Sequence, residues 1–407
     1  MMRVVQPTIA GDRNRWQIRF TKRPSEGFTL VELLVVIAII GAIAAIAIPA
    51  VGIVMRTARS AAMRAELGNM QSGIDNYLTK YGDYPPDFSS WNVVKRHYLK
   101  IFPDIADSEL RLLYRLCDGY ADNDANQMTQ MPSAAGFDPT ALDRAEALVW
   151  SLGGFSADKQ FPFTGAGGPL VVIDETITGA RENPANVEYN PTRNAPEVDF
   201  SPDRLSIKPV GPGARTYTNR VLSADADGTN NPNDVFPTYS LKAGSSPIVY
   251  FDSRTYAYNH GTAAAPIMNG YSRVTNDSAT GYDGVRPVFS TTRGQDPTGA
   301  NYGSIEAALT GWQFEKPQSY QLLSPGLDGL YGEVVDDVPS NDPTADTPVY
   351  FRTDGRMIRP DANAATPDAL VWGVQRFDVT GIVSRSLNPF LDNTANFIDG
   401  AFGDSLE

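Results

Sequence analysis

Glu32 is the one charged residue in an apolar stretch that runs from Phe28 to Met55. A carboxylate near the centre of a membrane helix costs on the order of 2.5–3.5 kcal/mol, so such residues are candidates for function. Glu32 is only the fifth residue of the stretch, where the cost is smaller. Its chemistry is that of an ion-pair partner, although a carboxylate that simply lies at the headgroup boundary would give the same pattern.

The apolar stretch is long enough to cross a membrane. Its 28 residues would span roughly 42 Å as a helix, more than a hydrocarbon core of about 30 Å. Basic residues precede it, and positive flanks stay in the cytoplasm, so the bulk of the chain should lie outside the inner membrane. Arg56, Arg59 and Arg64 follow the stretch on the other side and weaken this asymmetry.

The residues around Glu32 resemble a known export signal. The hexapeptide Gly-Phe-Thr-Leu-Val-Glu at 27–32, followed by an aliphatic run and Pro49, is similar to the class III signal of type IV pilins and type II secretion pseudopilins. This resemblance implies that a prepilin peptidase cleaves after Gly27 and that the new amino group of Phe28 is methylated. It also implies that Glu32 pairs with the amine of a neighbouring subunit, because opposite charges attract strongly in a low dielectric.

The same resemblance implies a location and a set of partners. The chain would be a single-pass protein of the bacterial inner membrane with a periplasmic C-terminal domain. It would then assemble, through its N-terminal helix, into a type II secretion pseudopilus or a type IV pilus-like filament. Its partners would be the prepilin peptidase, other pilin or pseudopilin subunits and the secretion assembly platform.

A second interpretation uses an ordinary signal peptide. Ala45-Ile46-Ala47 fits an A-x-A cleavage site after an apolar region, which would give a membrane-anchored or secreted binding protein or hydrolase. The single cysteine, Cys117, and the two distant histidines, His97 and His260, provide no catalytic constellation, so we expect no enzyme. Cys117 follows an apparent helix, and we interpret it as a buried structural thiol.

The charge balance argues against nucleic-acid binding. Residues 1–27 hold six basic and two acidic residues, and the chain has a formal net charge of −13, so removal of this leader leaves a mature chain near −17. Binding to a phosphate backbone requires lysine and arginine. An acidic exported domain instead suits solubility or cation binding.

The hydrophobic spacing predicts an α+β fold. An amphipathic helix should continue the apolar stretch and end at Gly82, before Pro85 and Pro86. Its apolar stripe consists of Met63, Leu67, Met70, Ile74, Tyr77 and Tyr81. Two short helices are predicted over 91–117 and another over 141–152. Short strands follow, as at 170–173 and 248–251, and they predict an antiparallel sheet domain.

These elements give three predicted regions. They are a leader at 1–27, a pilin helix at 28–82 that is transmembrane over about 28–55, and an exported globular domain at 83–407. The globular domain carries large insertions at about 174–245 and 331–391. Connections of that length are unusual in compact domains and are often functional.

A predicted strand runs into Ser-Pro-Gly-Leu-Asp-Gly at 324–329, and 392–397 lies close to the C-terminus. The two segments resemble the C-terminal loop of the major pseudopilin of type II secretion, which implies a structural calcium. The implied ligands are Ser324, Asp328 and Asp392. Because about 60 residues are inserted between the two segments, Asp336 and Asp337 are alternative ligands. An ordinary Asp-Gly turn would also explain the sequence, and a second acidic loop at 225–234 is interpreted as a solvated turn.

Overall fold

The computed structural model describes residues 29–117, 141–211, 214–217, 236–242, 245–258, 269–274, 282–290, 314–331, 350–351, 357–358 and 392–402. Within residues 207–217, 272–283 and 350–358 the description covers the backbone alone. The chain divides into two compact units, 1–55 and 56–407.

A single helix, α1, runs from Leu30 to Tyr81 over 52 residues with Pro49 in its interior. It ends where the sequence predicts. Gly82 adopts a φ of +71°, which a residue without Cβ tolerates. The Gly82 N–H donates to the Leu78 carbonyl (2.7 Å), and the Lys100 ammonium donates to the Gly82 carbonyl (2.8 Å).

The predicted stripe on the second half of α1 is confirmed. Four of its apolar members are buried, and Met63 and Tyr81 are half-buried. The buried members are Leu67, Met70, Ile74 and Tyr77. In the first half, residues 30–55, the side chains are exposed apart from the half-buried Ala44.

Three shorter helices follow: α2 (Trp91–Ile101), α3 (Asp107–Arg115) and α4 (Glu146–Leu152). The pair over 91–117 is confirmed, but the prediction for α4 began five residues too early, at 141. Asp143 sets the real start. Its Oδ1 accepts the N–H groups of Ala145 (2.8 Å) and Glu146 (2.9 Å), and Glu146 Oε2 accepts the Asp143 N–H (2.9 Å). These reciprocal bonds resemble a capping box and fix the turn that leads into α4.

Every strand pair among the described residues is antiparallel. The strands are β1 (Leu170–Val172), β2 (Val187–Tyr189), β3 (Ile207–Gly211), β4 (Ala214–Tyr217), β5 (Val249–Asp252), β6 (Tyr271–Val274), β7 (Tyr282–Val285), β8 (Tyr320–Ser324), β9 (Tyr350–Phe351), β10 (Met357–Ile358) and β11 (Thr394–Ala395). Single-turn 3₁₀ helices occupy Pro184–Asn186, Pro202–Arg204 and Ser253–Thr255.

The three-stranded sheet β11-β8-β5 lies between two hydrophobic clusters. Successive side chains of a strand point to opposite faces. Accordingly, Tyr250 and Leu322 join the cluster that contains the stripe of α1 and the aromatic side chains of α2–α4. Val249, Phe251 and Leu323 join the second cluster. A sheet covered on both faces explains why β5 and β8 are buried throughout. The predicted α+β class, a long N-terminal helix followed by antiparallel sheets, is confirmed.

Candidate functional site

Glu32 closes the first turn of α1. Its Oε2 accepts hydrogen bonds from the backbone N–H (2.9 Å) and the hydroxyl (2.8 Å) of Thr29, and Thr29 Oγ1 accepts the Glu32 N–H (3.2 Å). This is a capping box. The Thr-x-x-Glu spacing was visible in the sequence, but Thr29 was missed as a functional residue. Gly27 and Phe28, the predicted processing residues, lie outside the described residues.

A second candidate site joins two segments that are distant in sequence. Asp392 Oδ2 accepts the backbone N–H groups of Leu327 (2.8 Å) and Asp328 (3.0 Å). Asp328 Oδ1 in turn accepts the Leu330 N–H (2.8 Å). Gly326 has a φ of +59°, and a Cβ there would overlap the Asp392 carbonyl. The structure therefore places Asp328 and Asp392 together, in a turn that only glycine completes without strain.

Buried oxygen atoms without hydrogen-bond partners occur in the two segments that meet at this turn. They are Ser324 Oγ, Asp392 Oδ1, Asn393 Oδ1 and Thr394 Oγ1. Ser324 and Thr394 are directly paired across β8 and β11, and Asp392 and Asn393 immediately precede β11. A buried oxygen that lacks a partner costs about 1–3 kcal/mol. Directly paired residues lie on the same face of a sheet, so Ser324 and Thr394 share a face on which a bound group would be stabilised.

These oxygens fit calcium, which takes about 6–8 oxygen ligands from carboxylates, amides, carbonyls and water. Burial raises the pKa of Asp392, while the two backbone N–H groups and Arg56 lower it. A bound cation would favour its ionised form. Within the described ranges no three His, Cys, Asp or Glu side chains converge, so Asp328 and Asp392 would be the acidic ligands there. Asp336, Asp337 and the acidic loop 225–234 lie outside the described residues.

The interpretation of Cys117 as a buried thiol is confirmed. Its Sγ donates to the Phe88 carbonyl at 3.1 Å. The other candidate of interest, His97, is also buried, and its Nε2 lies 2.7 Å from the Tyr77 hydroxyl. Both side chains belong to the packed core and not to a reactive cluster.

The family of the prokaryotic N-terminal methylation motif matches residues 22–48. The N-terminal segment of the chain is type IV pilin-like. The match includes Gly27, Phe28 and Glu32, and it ends one residue before Pro49. No curated protein and no solved structure matches the chain.

The pilin-like motif and helix α1 agree on membrane anchoring. Among the described residues, α1 is the one helix that is long and apolar enough to cross a membrane. The motif indicates a prepilin-processed protein, and the family that carries it is structural rather than enzymatic. In this pilin-like chain the capping box of Thr29 and Glu32 lies inside the matched segment, so the helix begins within the motif.

Proposed function

We propose that this chain is a structural subunit of a type II secretion pseudopilus or a type IV pilus-like filament. A prepilin peptidase would cleave it after Gly27, and methylation of Phe28 would follow. The matched methylation motif carries this proposal. The length of α1, 52 residues with an apolar first half, supports it, because such a helix can leave the bilayer only if other apolar surfaces cover it.

The assembly step depends on Glu32 in this proposal. In the isolated chain its carboxylate accepts hydrogen bonds from Thr29. In a filament it would turn to the terminal amine of a neighbouring subunit, and the interior of the helix bundle would strengthen that attraction. The subunit would remain in the inner membrane, with its globular unit in the periplasm, until the assembly platform adds it to the filament.

N-terminal sequencing and intact mass of the mature chain test the processing step. We expect methylated Phe28 as the first residue when the chain is co-expressed with a prepilin peptidase. A chain that begins at Ile48 would contradict the proposal, because an ordinary signal peptidase would have cut after Ala47.

A pair of variants tests the assembly step. We expect Glu32→Gln to be processed normally but to give no filaments by electron microscopy. Asp75→Asn removes one negative charge from an exposed position on the same helix and should assemble normally. Equal assembly of the two variants would exclude Glu32 as the assembly charge.

We further propose that the turn at 324–328 and the segment 392–394 hold a structural calcium ion. Asp328 and Asp392 would be the charged ligands, and Ser324, Asn393 and Thr394 would contribute neutral oxygens. Asp336 and Asp337 remain alternative ligands. Buried oxygens without partners occur in both segments and support this proposal, since a buried oxygen gains a partner when it coordinates a cation.

Thermal unfolding with and without calcium tests this site. A ligand present at 100 times its Kd stabilises the folded state by about 2.7 kcal/mol, so calcium should raise the melting temperature of the full chain and magnesium should not. Asp328→Asn keeps an acceptor for the Leu330 N–H but removes the charge, and it should abolish the calcium response. An unchanged melting temperature of the unsubstituted chain would exclude the site.

A further inference from the structure

A cavity of about 240 Å³ lies beside the second half of α1. One wall is formed by helix residues 56–64 and the other by the turn after β8 and the segment 392–401. The polar lining residues are Arg56, Thr57, Ser60, Arg64, Asp392 and Thr394. The helix wall of the cavity thus carries two guanidinium groups and the hydroxyl groups of Thr57 and Ser60, which are donors that a phosphate group can accept.

The helix segment 56–64 is positively charged, whereas the protein as a whole is acidic. Between Glu32 and Glu66 the charged residues are Arg56, Arg59 and Arg64, although the whole chain has a formal net charge of −13. Arginine next to an apolar span is normally confined to the cytoplasmic side. In the proposed subunit these arginines follow the span on the exported side, so they oppose the usual bias, and a binding role would explain their presence.

Both arginines line the same cavity. Arg64 Nη2 donates to Ser60 Oγ at 3.1 Å. Ser60 lies midway between Arg56 and Arg64 in the sequence, and this bond holds the Arg64 side chain beside it. The two arginines are eight residues apart, about 12 Å along the helix axis, and both line the cavity. A phosphate between them could accept hydrogen bonds from each guanidinium, which offers a planar fork of donors.

Asp392 is the one acidic lining residue, and its charge would oppose an anion. The Asp392 Oδ2 atom accepts two backbone N–H groups, and the positive charge of Arg56 acts on the same carboxyl. These contacts offset part of its repulsion of an anion within the cavity wall.

We propose that this cavity binds the phosphate group of a membrane-lipid headgroup, with Arg56 and Arg64 as the residues that recognise it. The position of Arg56, directly after the apolar stretch that ends at Met55, favours a lipid over free phosphate. This inference rests on the proposed membrane-anchored subunit, which brings the cavity close to the headgroups. A lipid held there would anchor the subunit before assembly, and its release would accompany extraction from the membrane.

Native mass spectrometry of the full-length chain in neutral detergent tests the lipid site. The probes are phosphatidylglycerol, diacylglycerol as the matched lipid without phosphate, and glycerol 3-phosphate as the matched phosphate without acyl chains. We expect one phosphatidylglycerol to bind and the other two probes to bind far more weakly. Tight binding of glycerol 3-phosphate would assign the cavity to a soluble phosphate ester and overturn the lipid assignment.

Three single substitutions separate the cavity from general basic charge. Arg56→Gln and Arg64→Gln should each weaken lipid binding by about tenfold or more, because each removes a charge-assisted hydrogen bond to the phosphate. Arg59→Gln removes the same charge from the same helix outside the cavity lining and should bind like the unsubstituted chain. If Arg59→Gln weakens binding as much as the other two, the lipid is held by surface charge and the proposed cavity site is wrong.

This experiment uses the unprocessed chain, so its outcome is independent of filament formation. A chain that is processed at Gly27 but binds no phosphatidylglycerol would overturn the lipid site alone. Melting temperatures by circular dichroism should be equal for all four proteins, since glutamine is a good helix former and both cavity arginines are exposed.

Discussion

The two halves of α1 share one continuous backbone but bury their side chains in different ways. In the first half Ile46 is 74% exposed, whereas in the second half Ile74 is 0% exposed. The first half is apolar on all sides, and the second is apolar along one stripe. A helix that is apolar all round needs lipid or other helices around it, whereas a striped helix packs on a domain.

Polar contacts strengthen this contrast. The second half is tied to the globular unit through Glu66, which accepts hydrogen bonds from Arg204 and Tyr239. A further ion pair joins Lys80 to Glu197 at 2.8 Å. The compact units divide at 55/56, so the boundary lies inside the helix and not at its end near 82. The second half is therefore part of the folded globular unit, whereas the side chains of the first half are exposed.

The largest expected effect comes from removing core volume in the second half. Ile74→Ala should destabilise the globular unit by about 2–5 kcal/mol, because a fully buried aliphatic side chain leaves a cavity. Chemical denaturation of the full-length chain in detergent, followed by tryptophan fluorescence, measures this change.

Ile46→Ala is the matched control in the first half. It removes the same atoms from an exposed position, so the free energy of unfolding should change by less than about 0.5 kcal/mol. Equal losses of stability in the two variants would contradict this difference between the halves, because the first half would then also contribute to the folded core.

The stability of the contact between the second half of α1 and the globular unit should depend on pH through His97. It lies on α2, fully buried against Tyr77 of α1, and its Nδ1 is 3.6 Å from Asp83 Oδ2. Burial lowers the pKa of His97, and the nearby positive charges of Arg254 and Lys100 act in the same direction, while Asp83 opposes them. The unfolded chain therefore takes up a proton at His97 at a higher pH than the folded chain does.

The sign of the pH effect follows from this difference. The contribution of neutral His97 is complete above the unfolded pKa of about 6.5 and is lost as the pH falls below it. We expect the unsubstituted chain to lose up to about 1.4 kcal/mol per pH unit in this range, relative to His97→Gln. Denaturation midpoints between pH 5 and 7 measure the difference.

The other titrating groups are the same in the unsubstituted chain and in His97→Gln. Burial raises the pKa of Asp252 to about 7, which stabilises the fold as the pH falls, and this effect is present in both variants. The pKa of Asp83 is lowered to about 2, chiefly by the nearby His97 and also by Arg254, so Asp83 stays ionised throughout. Parallel curves for the two proteins would show that His97 does not titrate on unfolding.

Local signals predicted much of the fold. The stripe of α1, its end at Gly82 and the helix pair α2 and α3 follow from side-chain periodicity and from glycine and proline positions. The strand prediction at 248–251 also lies within one residue of β5. These features depend on neighbours in sequence, which is why periodicity reveals them.

Features set by distant neighbours could not be predicted in the same way. Gly73 lies inside α1, where glycine costs about 1 kcal/mol relative to alanine. Only the structure shows the reason, since Val198 occupies the space that a Cβ would need. Likewise Arg193 donates to the Val149 carbonyl at 2.7 Å and closes the C-terminal end of α4 from 44 residues away. The oxygens of Asn393 and Thr394, which the calcium proposal adds, could not be predicted from the sequence because their lack of partners is visible only in the packed sheet.

The smallest expected effect concerns the polar attachment of α1. Glu66 accepts from Arg204 and Tyr239, and burial raises the pKa of Tyr239 to about 12, so its hydroxyl remains a donor at neutral pH. The Arg204 side chain is 38% exposed, and solvent screens such pairs. Glu66→Gln should therefore cost only about 0.5–1 kcal/mol in the free energy of unfolding.

Asp75→Asn is the matched control for Glu66→Gln, because it removes the same charge from an exposed position of the same half. Its free energy of unfolding should stay within about 0.5 kcal/mol of the unsubstituted chain. High salt should reduce the Glu66 effect, since screening weakens exposed ion pairs, but should leave the Ile74 effect unchanged. A Glu66→Gln loss as large as that of Ile74→Ala would mean that ionic contacts, and not the apolar stripe, hold the second half of α1 on the domain.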